Sequence, residues 1–448
     1  MINMKNKRLT PFQIIIYGFL LIIFIGTVLL MLPISSKARV VTPFFDALFT
    51  ATSATCVTGL VVRDTATYWS SFGHIVILTL IQIGGMGVVS VAFLMVLASR
   101  RKIGLSDINT IKEAVGAPDM GSALSFAKFI IKGMIIVEVV GGLLLSPFFI
   151  NQSDRIILGM WHGFFHSISA FCNAGFDLMG YKGEFSSLTT YVGNTFLNVI
   201  VMLLIVVGGV GFITWDDFRK YKFKVKKYRV QSKVSLVVMV VLLVLPTLFF
   251  YIFEFSKWNE LSGSEKVLAA MFQSVTARTA GFNTVDLDAM SAPSKALMIF
   301  LMLIGGSSGS TAGGMKTTTL AVVIGSMFAA FTDRDDVVFF RRKLPHKTIK
   351  NASALFALYV FIFLTSGVII SVIDGIGLDY CLFETASAIA TVGVTLGITS
   401  MLSLPSRLII VFLMFVGRVG GLTLLYAAGT TKHNNSMITL TEENIMVG

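Results

Sequence analysis

Long apolar runs alternate with short ones along this chain, and the alternation repeats. Phe12–Leu32 is apolar throughout and closes at Pro33. A helix needs roughly 20 such residues to cross a hydrocarbon core, so this run predicts a spanning helix. Phe44–Ala54 is apolar but too short to cross, and it leads into the polar stretch Ala54–Leu60, which holds one glycine. His74–Ala98 is long again and ends in Arg100, Arg101 and Lys102. The unit is a spanning helix, a half-length helix, a glycine loop and a second spanning helix. It returns as Ala127–Phe149, Met160–Phe171, Cys172–Phe176 and Tyr191–Ile213. The third copy is Val234–Phe253, Leu268–Val275, Arg278–Asn283 and a run from Leu297. The fourth is Leu355–Ile373, Cys381–Ile389, Thr391–Thr395 and Leu408–Ala428.

Spacing supports the repeat. The loop glycines Gly59, Gly175, Gly281 and Gly393 are separated by 116, 106 and 112 residues. Each is followed by a second glycine cluster: Gly84-Gly85, Gly208-Gly209, Gly305-Gly306, and Gly417 with Gly420-Gly421. The pattern predicts an all-α polytopic membrane protein. Four covalently linked helix–pore-helix–loop–helix repeats, eight spanning helices in all, stand in pseudo-fourfold order around a central pore. Their expected boundaries are 1–102, 103–230, 231–345 and 346–448, the last including a C-terminal tail, all in one integral membrane domain.

Composition narrows the class. The chain is 55% hydrophobic and 13% charged, against about 25% charged in soluble domains. The basic start followed by Phe12–Leu32 has the charge pattern of a signal sequence. Its apolar stretch is too long, and no small-residue cleavage site follows, so it is expected to stay as the first helix. A net charge of +12 invites a nucleic-acid partner. The basic residues, however, sit in the N-terminus and in the linkers between units, including Arg219 to Lys233 and Arg341 to Lys347. That is the positive-inside pattern of a plasma-membrane protein. Both termini are then cytoplasmic, and all four glycine loops enter from outside. Cys56, Cys172 and Cys381 have no paired spacing, so neither a disulfide framework nor a metal site follows.

Four loops at membrane depth carry the candidate chemistry. Non-helical backbone is tolerated there only where protein buries it or where it lines a watery cavity. Each half-length helix points its C-terminal, negative end inward, which favours a cation. Loop carbonyls can replace the water around such an ion, and glycine lets the backbone approach it. The candidate filter is Thr55, Cys56, Val57, Thr58 and Gly59; Cys172, Asn173, Ala174 and Gly175; Thr279, Ala280 and Gly281; and Thr391, Val392 and Gly393. Asp64, Asp177, Asp286 and Asp288 stand just outside the loops, where they suit a cation vestibule or ordinary loop polarity. Asp46 is placed to cap the first half-length helix. His166 and Glu384, each nine residues before a loop glycine, read as internal hydrogen bonders or as anchors of their helices. Arg278 reads as an ion-pair partner, and Glu138 as a structural charge within the membrane.

The run from Leu297 to Phe331 is too long for one crossing. It is interrupted by Gly305, Gly306, Ser307, Ser308, Gly309, Ser310, Thr311, Ala312, Gly313, Gly314 and Lys316, too polar a stretch for glycine-face packing alone. Glycine disfavours helix by about 1 kcal/mol relative to alanine, so a broken helix is expected. Gly306 lies about nine residues in, roughly 14 Å down and near mid-membrane. Arg418 lies at similar depth in the fourth unit. An intramembrane arginine costs at least ~2.5 kcal/mol and marks a function or a buried partner. A cation beneath the filter hinders another cation, so Ile304–Thr319 and Arg418 are the candidate gate.

The four loops Thr-Cys-Val-Thr-Gly-Leu, Phe-Cys-Asn-Ala-Gly-Phe, Arg-Thr-Ala-Gly-Phe-Asn and Ala-Thr-Val-Gly-Val-Thr resemble the filter loops of the Ktr/Trk/HKT superfamily of potassium transporters. The likeness spans nearly the whole chain, and the start at the first repeat helix favours the bacterial KtrB or KtrD type. The resemblance implies potassium uptake, with the ion held at Thr58, Gly59, Gly175, Gly281 and Gly393, and sodium as a candidate activator. It implies the same gate. It also implies a homodimer, with the tail Thr430–Gly448 helping to join the two chains, and a cytoplasmic ring of RCK-type nucleotide-binding subunits. The basic linkers are candidate docking surfaces for that ring, with lipid-headgroup anchoring the equal alternative. No nucleotide fingerprint occurs in this chain, so any nucleotide control belongs to the partner and no cofactor is expected. Two other classes fit less well. A coupled transporter for an organic solute would show an inverted twofold repeat. A membrane enzyme would need a nucleophile with a base or metal-ligand spacing, and no HExxH is present.

Overall fold

The computed structural model describes residues 10–87 and 123–421. The end of His74–Ala98 with Arg100 to Lys102, the end of Leu408–Ala428, and the tail Thr430–Gly448 lie outside the described residues.

The first helix of each unit is long. These are α1 (Pro11–Met31), α4 (Ala123–Ser153), α8 (Val230–Phe249) and α12 (His346–Asp374). All four are long and apolar enough to cross a membrane. α1 starts at a capping box, with Thr10 and Gln13 bonding each other's backbone and Pro11 at the first helical position, which satisfies N–H groups that the helix itself leaves free. Large apolar side chains face outward, such as Leu21 at 59%, Leu245 at 61% and Phe361 at 65% exposure. In water such a surface would be a liability; in lipid it is the matching solvent.

The half-length helices fill the interior. They are α2 (Phe44–Cys56), α5 (Ile156–Phe171), α9 (Gly263–Thr276) and α13 (Leu378–Ile389). Hydroxyl residues concentrate here: Thr50, Thr52, Ser53 and Thr55 of α2 are all buried. The short helices therefore bring hydroxyl groups into the interior.

The second helices depart from expectation. A single interruption, in the third unit, is predicted. Instead α3 (Ser71–Gly85), α6 (Thr195–Gly209), α10 (Ala292–Leu303) and α14 (Leu404–Val419) all stop at or just before their glycine clusters. α6 bends by 93° into α7 (Phe212–Tyr221), so Tyr191–Ile213 is not one straight span. α10 gives way to an irregular loop and then α11 (Thr317–Phe331), as predicted. The glycines have a steric reason. A Cβ at Gly84 would lie 2.1 Å from the carbonyl oxygen of Thr55, at Gly208 2.0 Å from that of Phe171, and at Gly417 2.1 Å from that of Ile389. Three second helices thus press directly on the carbonyl end of their own unit's short helix. Between α11 and α12, β1 (Val338–Phe339) pairs with β2 (Arg342–Lys343), a small exception to the helical architecture.

Asp46 does not cap α2, whose N-cap is Pro43. Its buried carboxylate accepts from Arg63 Nε at 2.9 Å and from Arg407 Nη1 at 3.2 Å, tying the first unit to the fourth. Asp46→Ala removes the acceptor of Arg63 Nε and of Arg407 Nη1, while Arg407 keeps the carbonyls of Leu402 and Ser400. We expect a loss of about 1–3 kcal/mol, read as a lower melting temperature in detergent, with Asp46→Asn intermediate.

Candidate functional site

The four loops close a ring. Gly59, Gly175, Gly281 and Gly393 have φ of 92°, 68°, 84° and 95°, values that favour glycine. A Cβ at Gly59 would lie 2.5 Å from the Ala174 carbonyl oxygen, and one at Gly175 2.9 Å from that of Ala280. One at Gly281 would lie 2.7 Å from that of Val392, and one at Gly393 2.0 Å from that of Thr58. Each glycine therefore abuts the next loop in cyclic order, and the carbonyl before each glycine reaches its neighbour. No side chain fits there.

Two residues before each glycine, the backbone is also left-handed: Val57 at 57°, Asn173 at 59°, Thr279 at 71° and Thr391 at 54°. Three of the four are β-branched, for which this conformation costs about 1–3 kcal/mol each. Such strain persists only where surroundings enforce it. Here the short helices do so. Ser53 Oγ accepts from Gly59 N at 3.1 Å, and Ser387 Oγ accepts from Gly393 N at 3.0 Å. Ser169 Oγ and Thr276 Oγ1 donate to the carbonyls of Phe176 and Phe282, each at 2.6 Å. These four hydroxyls were absent from the sequence reading. Their signal was a Ser or Thr five or six residues before every loop glycine. His166 and Glu384 act in the same way. His166 Nε2 accepts from Leu178 N at 3.2 Å, and Glu384 accepts from Thr395 Oγ1 at 2.6 Å. Both pin the irregular segment leaving their own loop.

Side chains of the candidate filter mostly turn away from the ring. Cys172 Sγ packs against Gly85 and donates to Glu138 at 3.7 Å, while Cys56 joins an apolar cluster. Glu138 also accepts from Gln82 Nε2 and so braces the second loop from behind. Arg278 is buried, and among the described residues it forms no ion pair, contrary to expectation. The ring itself is a matter of backbone.

A cavity of about 110 Å³ opens above the ring and is lined by all four loop glycines. Asp64 and Asp177 stand on its wall; Asp286 and Asp288 do not. Asp288 instead pairs with Lys295 at 3.0 Å and accepts from Tyr380 at 2.8 Å. Asp64 accepts from Thr67 N and from Phe185 N of the second unit, which shapes the wall.

The interrupted stretch 304–316 is tied directly to the second and fourth units, and through Arg418 to the first. Ser307 N and Thr311 N donate to the carbonyls of Gly209 and Gly208, and Thr311 Oγ1 donates to that of Phe171. Gly314 N donates to the Gly417 carbonyl, and a Cβ at Gly313 would lie 2.0 Å from Thr391 Oγ1. Arg418, buried, donates to the carbonyl of Thr311 and to those of Gly84 and Gly85 at the end of α3. Lys316 Nζ donates to the carbonyls of Ala312 at 2.8 Å and Gly313 at 3.2 Å. Both cations are thus held by carbonyls, with no carboxylate partner among the described residues. Ser308 and Ser310 bond to Thr318 and to the Ser307 carbonyl, and Gly309 is exposed on the loop's far side.

Residues 3–437 match the sequence profile of the TrkH family, described as cation transport protein. The chain belongs to the TrkH cation transport family. It is a multi-pass membrane protein of a transporter family, not an enzyme. It is 39% identical to the potassium/sodium uptake protein NtpJ of Enterococcus hirae, covering 99% of this chain and 98% of that one. It is 37% identical to the Ktr system potassium uptake protein B of Bacillus subtilis, covering 96% of each. The crystal structure of the potassium transporter TrkH from Vibrio parahaemolyticus aligns with a TM-score of 0.72 over 95% of this chain and 86% of that one. At 18% identity that alignment speaks to fold alone.

Burial pushes the Asp177 carboxyl up to about 6, and the nearby charge of Asp64 adds to the rise. As the pH on the cavity's side falls through that value, the carboxyl takes a proton and the cavity wall loses a negative charge. Cation uptake should fall about two- to fivefold between pH 7 and pH 5, and Asp177→Asn should flatten the profile at the lower rate.

Proposed function

We propose that the chain is the ion-translocating subunit of a Ktr-type potassium uptake system. The observation that carries this reading is the closed ring of four left-handed glycines, each against the preceding carbonyl of the next loop. Such a ring offers a dehydrating cation oxygen ligands from four sides. The names of the relatives, potassium/sodium uptake and Ktr system potassium uptake, support the substrate class.

In this reading the chain comprises four repeats, 1–102, 103–230, 231–345 and 346–448. Eight spans stand in pseudo-fourfold order. The filter is Thr55–Gly59, Cys172–Gly175, Thr279–Gly281 and Thr391–Gly393, acting through main-chain carbonyls. Potassium sits at Thr58, Gly59, Gly175, Gly281 and Gly393. The stretch Gly305–Lys316 with Arg418 is the gate: it joins all three other units beneath the ring and brings fixed positive charge with it. Both termini face the cytoplasm. The chain works as a homodimer with a cytoplasmic RCK-type nucleotide-binding ring, and sodium acts as an activator.

Two measurements test this. In a bacterial strain lacking its own potassium uptake, the chain with its regulatory subunit should restore growth at low potassium, and Gly59→Ser should lower potassium uptake at least ~10-fold or shift preference toward sodium. Failure of the wild type to restore growth would count against the whole assignment. Arg418→Ala removes the clamp between Thr311 and the end of α3, so basal cation flux should rise about 5- to 20-fold and respond less to the regulatory subunit. Unchanged flux and unchanged regulation would sink the gate.

A further inference from the structure

The bend after α6 creates a surface that cation passage through the ring does not use. α6 runs from Thr195 to Gly209. At 1.5 Å per residue it descends about 22 Å of a ~30 Å core before α7 turns across it. With the loops entering from outside, α7 therefore lies in the inner leaflet, close to the headgroups. The side of α7 facing the protein is fixed. Asp216 accepts from Arg219, Lys220 and Arg229, and Asp217 accepts from Arg229 N and Ser232, which clamps α7 to the start of α8.

Every residue from Phe218 to Lys227 is exposed, including the clamped Arg219 and Lys220, and the run holds no acidic residue. Lys222, Lys224, Lys226 and Lys227 have no ion pair among the described residues. Phe218 and Phe223 meet edge to face at 5.7 Å and are 51% and 87% exposed. Aromatic rings interleaved with lysines, on an in-plane segment at the membrane boundary, match an anionic lipid surface in both charge and polarity. The other end of α7 touches the interrupted loop: Phe212 N donates to the Gly309 carbonyl at 2.7 Å, and a Cβ at Gly211 would lie 2.9 Å from the Ser308 carbonyl oxygen.

We propose that Phe218–Lys227 docks on anionic phospholipid headgroups of the inner leaflet and, through α7, transmits their occupancy to the loop at Ser308–Gly309. The inference rests on the transport reading for its orientation and its readout. It assigns this linker to the membrane rather than to the cytoplasmic ring.

The test reconstitutes the purified full chain in vesicles of phosphatidylcholine, with or without about 30% phosphatidylglycerol. Initial potassium flux should be about tenfold higher with the anionic lipid. Replacing Lys222, Lys224, Lys226 and Lys227 together by Gln should remove the difference while leaving the phosphatidylcholine rate unchanged; replacing them by Arg should keep it. A nitroxide on Phe223→Cys should be relaxed by oxygen more than by an aqueous nickel chelate, a reading independent of transport. Equal flux in both lipids, or full stimulation of the Gln variant, overturns the proposal. So does a label open only to the aqueous reagent, or a Gln variant that loses its response to a regulatory protein while keeping its lipid dependence. No flux from the wild type in either lipid would refute the transport reading instead, and the label would still decide the docking.

Discussion

Backbone polar groups inside a membrane have no water to bond with, so the chain must satisfy them itself. The whole molecule answers that constraint. Four irregular loops at membrane depth would be untenable alone. Each is held by hydroxyls from its own short helix and by contact with the next loop around the ring. The short helices in turn present carbonyls at their inner ends, one of them bonded by Thr311 Oγ1, and three of the second helices close on those ends through glycine. The long first helices then need only be apolar on their outer faces. Ring, helix ends and lipid-facing shell are successive answers to one problem of unpaired N–H and C=O groups.

The same constraint explains how buried positive charge is tolerated. Arg418 and Lys316 are buried and partly buried, and among the described residues neither pairs with an acid. Their donors meet carbonyls that the broken helices leave over, so an opening in the backbone and a buried cation satisfy each other. The ends of α3 and α14, where helix dipoles are negative, are suitable places for a guanidinium. The interrupted loop is thus part of the interior rather than an insertion into it.

Much of this was legible in the sequence. Run lengths separated long helices from short ones, and the recurring loop glycines located the ring, because only glycine combines positive φ with such close approach. The second glycine clusters were also visible at Gly84-Gly85 and Gly208-Gly209. Their meaning was not. A close approach between a helix and a carbonyl depends on three-dimensional packing, and periodicity cannot distinguish it from a continuous apolar span. Asp46 was misread for a related reason. A carboxylate near a helix start suggests a cap, but its partner Arg407 lies 361 residues away. The lack of an ion pair at Arg278 among the described residues, and the turn of Cys172 toward Gly85 and Glu138, likewise depend on neighbours that local spacing does not reveal.

The interrupted loop is joined to the rest of the chain mainly by main-chain groups: Ser307, Thr311 and Gly314 through their amides, and Gly309 and Thr311 through their carbonyls. Every residue type other than proline carries an amide, and every residue carries a carbonyl. Substitution therefore reaches these bonds through bulk or through proline, not by deleting a side-chain group. The stretch can change its letters only where there is room, because a Cβ at Gly305, Gly306 or Gly313 would lie 2.2, 2.4 or 2.0 Å from a neighbouring atom. Variation there, in nature or in a mutational scan, would report the space available to the loop far more than the strength with which it is held.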